Sequence, residues 1–217
     1  MTELDPEGVR HELEFWRGFV QSERFQKWTA PYPTPELDRC VYRSLRALCA
    51  AECVRSILDV GSGPVSILHG SLPPTVTLTT ADPLGDDYAE LVDFPALGLQ
   101  PPYAFAAEDL PFSAVFDVVH VSNALDHVVS PLEALQRMVG CIRPGGFLVV
   151  QGHVDEADHE GRAGFHQHNL SLQAEKLVVD GALISPEYIG LEHVWSYQAL
   201  NTAGRQWYVW FLHKCLS

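Results

Sequence analysis

The chain has 217 residues, of which 47% are apolar and 19% are charged, a balance that excludes a disordered chain and predicts one folded domain with an N-terminal extension. The formal net charge of −14 argues against a nucleic-acid partner, because contacts to a phosphate backbone depend on clustered lysine and arginine. The N-terminus is acidic and no run reaches about 18 apolar residues, so we expect a cytoplasmic protein without a membrane partner.

Two helical stretches precede the first predicted strand. Residues 5–28 begin with Asp5-Pro6, a helix-start signal, and their apolar residues recur at helical spacing, which predicts one amphipathic helix or two. A second start signal at Thr34-Pro35 opens an apolar stripe that ends near Cys53. We therefore assign residues 1–53 to a helical cap or lid, and residues 54–217 to the main domain.

From Val54 onward, short β-rich apolar runs alternate with helical stretches, which is typical of a mostly parallel sheet covered on both faces. A well-marked helix starts at Ser130-Pro131 and stops at Arg143-Pro144. An insertion at about 153–185 contains a small predicted hairpin, residues 169–173 with 176–179. Residues 194–200 and 206–213 predict an antiparallel hairpin that closes the sheet. The other predicted strands are residues 56–60, 76–81, 103–106, 116–121 and 147–151.

The segment from Ser56 to Pro64, SILDVGSGP, is an apolar strand that ends in a carboxylate and turns through two glycines into a predicted helix. Glycine lacks a Cβ, so such a turn lets the backbone approach a ligand closely. Asp82 ends the next strand, where a carboxylate accepts hydrogen bonds from ribose hydroxyls. A nicotinamide cofactor is disfavoured, because Ser66 replaces the third glycine of that fingerprint and Asp59 would repel a pyrophosphate.

The glycine turn and Asp82 are followed by three further segments: Ala107-Glu-Asp-Leu-Pro-Phe112, residues 116–128 and residues 135–146. Together they have the order and spacing typical of the class I S-adenosylmethionine-dependent methyltransferases. The chain resembles that family over about residues 54–152. The resemblance implies a Rossmann-like, doubly wound α/β fold with a seven-stranded, mostly parallel sheet whose last strand is antiparallel. It also implies S-adenosyl-L-methionine as cofactor and S-adenosyl-L-homocysteine as product.

The resemblance places the glycine loop at the methionine end of the cofactor and Asp82 at its ribose. The acid that usually meets the adenine is missing, since Ala106 stands at that position, and Glu108 is the substitute candidate. The residues expected to bind the cofactor are Asp59, Gly61, Ser62, Gly63, Asp82, Pro83, Ala107, Glu108, Ser122 and Asn123.

An oxygen or nitrogen acceptor must lose a proton when it is methylated, and histidine is the natural base near neutral pH. The catalytic candidates are His153, His127 and His166, which follow predicted strands or lie in the insertion. His166 and His168 alternate as on a strand, so chelation of a metal with Asp155 or His153 is an alternative, although we expect no metal ion.

The predicted function is methyl transfer of the EC 2.1.1 type from S-adenosylmethionine to an oxygen or nitrogen of a small-molecule acceptor, by a monomer or homodimer. One alternative is a binding or scaffold protein that keeps the methyltransferase fold without turnover, which the missing acid at Ala106 favours. The other is a nicotinamide-dependent oxidoreductase, disfavoured by Asp59 and Ser66.

Overall fold

A computed structural model describes residues 4–30, 38–51, 53–201 and 203–216. Two β-sheets form within these residues, one of six strands and one of three. The strands are β1 (Ser56–Val60), β2 (Thr77–Ala81), β3 (Phe116–Ser122), β4 (Ile142–His153), β5 (Leu170–Gln173), β6 (Lys176–Val179), β7 (Ala182–Ile184), β8 (Glu192–Leu200) and β9 (Gln206–His213). The helices are α1 (Pro6–Phe19), α2 (Glu23–Trp28), α3 (Arg39–Ala50), α4 (Phe94–Leu97), α5 (Pro131–Cys141) and α6 (Glu156–His159).

The large sheet has the strand order β2-β1-β3-β4-β9-β8. The strands from β2 to β4 pair in parallel, and β9 runs antiparallel to both β4 and β8. The predicted α/β fold, with a mostly parallel sheet and an antiparallel last strand, is therefore confirmed.

Among the described residues the large sheet has six strands where seven were expected, because residues 103–106 do not form a strand. Tyr103 makes a single parallel bridge to Ala81, donating its N–H to Thr80 O and accepting from the N–H of Asp82. Pro101 and Pro102 precede it and have no N–H to extend the ladder, so the pairing stops at one residue.

The helix predicted directly after the glycine loop is also wrong. Residues 61–76 form turns, bends and irregular segments instead. Pro73 and Pro74 break any helix from the C-terminal side, and Trp28 Nε1 donates to Ser66 O at 3.1 Å, which ties the segment to α2. Tertiary contacts with the N-terminal helices thus replace the local helical hydrogen bonds.

Helices cover both faces of the large sheet because its central strands β1 and β3 are buried along nearly their whole length, on both faces. On one face α3 packs Val41 and Leu45 against Ile57 of β1, in a cluster that also contains Phe211 of β9. On the other face α5 packs Leu135 and Met138 into a cluster with β1, β3 and β4. Each such fully buried side chain contributes roughly 1.5–3 kcal/mol to folding.

The N-terminal prediction of one or two helices is confirmed, with a break between α1 and α2 where Ser22 caps α2 by accepting from the N–H of Phe25. Helix α3 begins at Arg39 behind the cap Asp38, while the start predicted at Thr34-Pro35 falls outside the described residues. None of the described helices is long and apolar enough to cross a membrane. Both predicted hairpins form, and β7 extends the smaller one to three strands.

Candidate functional site

A cavity of about 500 Å³ opens at the carboxyl ends of β1 to β4, the edge where open α/β sheets bind their ligands. Helix α1 forms one of its walls. All three catalytic candidates line the cavity: His127, His153 and His166. So do nine of the ten predicted cofactor-binding residues, namely Gly61, Ser62, Gly63, Asp82, Pro83, Ala107, Glu108, Ser122 and Asn123.

The loop after β1 requires glycine at two positions. Gly61 and Gly63 have φ angles of +64° and +62°, in the left-handed region that disfavours other residues. A Cβ on Gly61 would lie 2.4 Å from the Cβ of Ala124, and one on Gly63 would lie 2.5 Å from the ring of Trp16. The loop is therefore closely packed between α1 and the segment that follows β3.

The carboxyl group of Asp82 is buried at the end of β2 and holds the glycine loop. The N–H of Gly63 donates to Oδ2 at 2.9 Å and that of Leu84 donates to Oδ1 at 3.0 Å. The Tyr88 hydroxyl also hydrogen-bonds this carboxyl group. Burial outweighs these favourable contacts and raises the pKa of Asp82 to about 6.

Asp59 belongs to a row of buried, hydrogen-bonded polar side chains and does not line the cavity. Its carboxylate contacts Ser66 Oγ and, at 2.6 Å, His120 Nδ1. The other ring nitrogen of His120 lies 2.8 Å from Nε2 of Gln151. If His120 donates from Nδ1 to the carboxylate, Nε2 accepts from the Gln151 amide, and Gln151 Oε1 is left buried without a partner.

Glu108 and Asn123, two further polar residues of the predicted cofactor set, also have partners within the protein. Glu108 Oε1 accepts from the N–H groups of Val129 and Ser130, at 2.9 and 3.0 Å, where α5 begins. Asn123, with φ of +50°, accepts the N–H of His153 at 3.1 Å through Oδ1. These bonds fix the loops that surround the cavity.

His153 ends β4 with its side chain in the cavity wall. Its Nδ1 is buried without a partner, and its ring stands edge-on to Trp207, with ring centroids 4.8 Å apart. Burial lowers the pKa of His153 despite the nearby charge of Glu156, so the neutral imidazole prevails at neutral pH. The Nε1 of Trp207 is likewise buried and unpartnered.

His127 and His166 meet beside the buried carboxylate of Asp126. His127 Nε2 lies 3.0 Å from His166 Nδ1, and His166 Nδ1 lies 2.7 Å from Asp126 Oδ2. Burial lowers the pKa of His166, but the hydrogen bond and charge of Asp126, with Glu156 and Glu12, outweigh burial and raise it. The three side chains thus form one compact polar cluster.

The structure does not bring His166 and His168 together as a chelating pair. His168 Nδ1 contacts Asp180 Oδ2 at 2.7 Å, and its Nε2 lies 3.1 Å from Val128 O. His168 therefore joins the three-stranded sheet to the loop after β3, outside the cavity.

Several polar residues in the cavity wall were not expected from the sequence, among them Glu12, Gln151, Glu156 and Trp207. Gln151 is a polar residue at the end of an apolar strand, a signal that was available in the sequence. Trp207 enters because it pairs across the sheet with His153, and Glu156 because it forms an ion pair with Arg205. Neither relation can be derived from sequence spacing.

Residues 58–150 match the family model described as a methyltransferase domain. The resemblance to the class I S-adenosylmethionine-dependent methyltransferases is therefore confirmed. A curated relative, the tRNA U34 carboxymethyltransferase of Trichlorobacter lovleyi, is 43% identical over 54 residues, which cover 24% of this chain and 17% of that protein.

Solved structures of methyltransferases share the fold over nearly the whole of this chain. The N-methyltransferase NodS from Bradyrhizobium japonicum, in complex with S-adenosylhomocysteine, has a TM-score of 0.59 and 15% identity, covering 94% of this chain and 98% of that one. The 1,6-didemethyltoxoflavin-N1-methyltransferase of Burkholderia thailandensis has a TM-score of 0.54 and 17% identity, covering 99% and 93%. At these identities the likeness is one of fold.

Proposed function

We propose that this chain transfers the methyl group of S-adenosylmethionine to an oxygen or nitrogen atom of a small-molecule acceptor. The observation that carries the proposal is a single cavity lined by both the glycine loop and three histidines. A methyl donor and an acceptor must lie in contact for transfer, so one continuous cavity with two kinds of wall suits the reaction.

The wall formed by the glycine loop fits the cofactor. Gly61 and Gly63 present backbone where any Cβ would collide, and the Asp82 carboxyl group is buried at the strand end where ribose hydroxyls would find an acceptor. Ala107 and Glu108 extend this wall. When bound, S-adenosylmethionine supplies an electrophilic methyl group on a sulfonium. The two neighbours described above, both crystallised with S-adenosylhomocysteine and both named as N-methyltransferases, support this assignment.

The wall on the side of the histidines offers polar atoms that have no partner in the protein. Gln151 Oε1 is an acceptor, Trp207 Nε1 is a donor, and His153 Nδ1 is either, according to its tautomer. An unpartnered buried polar group costs about 1–3 kcal/mol, so these atoms favour a ligand that carries complementary donors and acceptors. We infer that the acceptor molecule presents heteroatoms to these three side chains.

His153 is the proposed general base among the three candidates. Its buried, unpartnered Nδ1 and its lowered pKa leave a neutral imidazole that can take a proton from a hydroxyl or ammonium group. His127 Nε2 and His166 Nδ1 instead lie in contact with each other, and His166 Nδ1 also contacts Asp126, so neither nitrogen stands alone in the wall as His153 Nδ1 does.

A small acceptor suits the cavity better than a nucleic acid. Glu12, Glu156 and Glu160 line the cavity, and the whole chain carries a formal charge of −14. Such a surface repels a phosphate backbone. The similarity to the tRNA-modifying relative covers 24% of this chain, and we propose no nucleic-acid partner.

The test begins with calorimetric titration of the purified protein with S-adenosylhomocysteine, with NADH as the control ligand. Saturable binding of S-adenosylhomocysteine alone supports the proposal. Binding of NADH instead would favour an oxidoreductase.

A second step separates an enzyme from a scaffold. The protein and S-adenosylmethionine are incubated with a panel of hydroxylated and amine-bearing metabolites, and methylated products are detected by mass spectrometry. A methylated product supports the enzyme, whereas cofactor binding without turnover across the panel would indicate a binding protein of the same fold.

A further inference from the structure

We propose that Asp126, His127 and His166 form a binding site for a divalent transition-metal ion such as Zn²⁺ in the wall of the cavity. From the sequence we expected no metal ion. The two histidines are 39 residues apart along the chain. The fold brings them together, since the loop after β3 supplies Asp126 and His127 and the insertion supplies His166. Two imidazoles and one carboxylate are a donor set of catalytic zinc and non-haem iron sites.

The spacing of the three donor atoms suits one shared ion. His127 Nε2 and His166 Nδ1 are 3.0 Å apart, and Asp126 Oδ2 lies 2.7 Å from the second nitrogen and 3.5 Å from the first. Atoms so spaced share a point about 2 Å from each of them, which is the length of a zinc–nitrogen or zinc–oxygen bond. The ion would lie roughly 1 Å outside the plane of the three atoms, which would form one face of a coordination tetrahedron around it.

Hydrogen bonds within the cluster satisfy these atoms only in part. If His166 Nδ1 carries a proton, that proton can point well at Asp126 Oδ2 or at His127 Nε2, but not at both. If His127 Nε2 carries a proton instead, its nearest neighbour is His166 Nδ1, and the hydrogen bond of that nitrogen is to the Asp126 carboxylate. A metal ion accepts a lone pair from all three atoms at once.

The surroundings hold the ligands in place and favour a cation. The backbone O of Asp126 accepts the N–H groups of Gln167 and His168, at 2.9 and 3.2 Å, so the two ligand-bearing segments are joined directly. The side chain of Asp126 is only 4% exposed. The carboxylates of Glu12 and Glu156 act on His166 and add negative charge to the site.

The coordination sphere would keep an open position toward the cavity. His127 and His166 line the cavity, whereas Asp126 is buried and does not line it. A metal held there can bind an oxygen or nitrogen of the acceptor and orient it. This role rests on the proposed function, whereas metal binding itself does not.

The site is tested on the full chain after metal has been stripped with a chelator. Zn²⁺ is titrated by calorimetry, and Co²⁺ is titrated while the visible ligand-field absorption of a four-coordinate site is recorded. We expect one ion per chain and no binding of Mg²⁺, which prefers oxygen ligands. Absence of saturable Zn²⁺ and Co²⁺ binding by the folded protein would overturn the proposal.

Three ligand variants, His127→Gln, His166→Gln and Asp126→Asn, should each bind Zn²⁺ and Co²⁺ about 100-fold more weakly or worse, because even changes around the ligands cost 10–100-fold. The matched control is His159→Gln, an exposed histidine on α6 outside the cavity, which should bind like the wild type. Circular dichroism checks that each variant folds. Wild-type affinity in all three ligand variants would contradict the site.

Titration with S-adenosylhomocysteine distinguishes the two proposals. Binding of S-adenosylhomocysteine without Zn²⁺ or Co²⁺ binding would remove the metal site and leave the proposed methyl transfer standing. Binding of the metal without S-adenosylhomocysteine would support the site and remove the proposed function.

Discussion

The cavity has two halves that differ in how their polar groups are satisfied. In the half formed by the glycine loop, Asp82 and Glu108 already accept backbone N–H groups of the protein. In the half formed by the histidines, Gln151 Oε1, His153 Nδ1 and Trp207 Nε1 have no partner. The first half is thus shaped before any ligand arrives, while the second leaves its polar groups for a ligand to satisfy.

This contrast assigns different roles to the two halves. A loop fixed by its own hydrogen bonds can offer backbone to a ligand at little entropic cost. Unsatisfied buried groups instead select the molecule that completes them, because an analogue without the matching groups leaves them unpaired. We therefore expect changes in the first half to affect folding and cofactor affinity together, and changes in the second to affect turnover.

The largest expected effect is on turnover, for His153→Gln. Loss of a general base lowers kcat by about 10²–10⁴-fold, while affinity for S-adenosylhomocysteine stays unchanged because the glycine loop is intact. Since burial lowers the pKa of His153, the wild-type rate should persist to below pH 6.5, and the variant should lack the acidic fall. The kcat is measured against pH with the acceptor found in the panel; an unaltered kcat would remove His153 as the base.

The next effect concerns the packing of the glycine loop and is tested with Gly61→Ala. The positive φ alone costs about 1–2 kcal/mol for a residue with a Cβ, and the collision with Ala124 adds roughly 1–3 kcal/mol. Gly98→Ala is the matched control, because Gly98 has a φ of +66° and open space around its Cβ position. The free energy of unfolding is measured in urea; equal losses in the two variants would show that the contact with Ala124 is unimportant.

A smaller effect is expected for Asp82→Ala on cofactor affinity. Removal of this acceptor should weaken S-adenosylhomocysteine binding by about 1.5–3 kcal/mol, because hydrogen bonds to charged groups are worth that much. The variant also frees the N–H groups of Gly63 and Leu84, so the loop loses its support. Calorimetry gives the affinity, and an unchanged value would mean that the cofactor does not contact this carboxyl group.

The last expected effect, similar in size to the one before it, is the pH dependence of stability that Asp82 confers. Its folded-state pKa of about 6 lies above the ordinary value of 3.8 for an aspartate, because burial favours the protonated form. Its stabilising contribution is complete below that lower value and is lost as pH rises through about 6, up to roughly 3 kcal/mol. Asp82→Asn cannot ionise, so its unfolding free energy relative to wild type should rise between pH 4 and pH 7. A constant difference in urea unfolding at these two pH values would contradict the raised pKa.

The sequence by itself determined the sheet and the glycine-loop half of the cavity. The strands β1, β2 and β3 and the helix α5 follow from local apolar patterning and start signals, which act over a few residues. Gly61, Gly63 and Asp82 come directly from strand ends, and the carboxyl ends of parallel strands meet at one edge. Short-range signals were sufficient there because the position of each of these residues is set by the strand that it ends or follows.

Only the tertiary structure decided the histidine half of the cavity. Pairing of β4 with β9 sets Trp207 against His153, and the insertion carries His166 back to Asp126 and His127. The turns at residues 61–76 are likewise set by distant contacts such as that from Trp28 to Ser66. These arrangements join residues that are far apart in the chain, and pairing register and packing, rather than local preference, determine which of them meet.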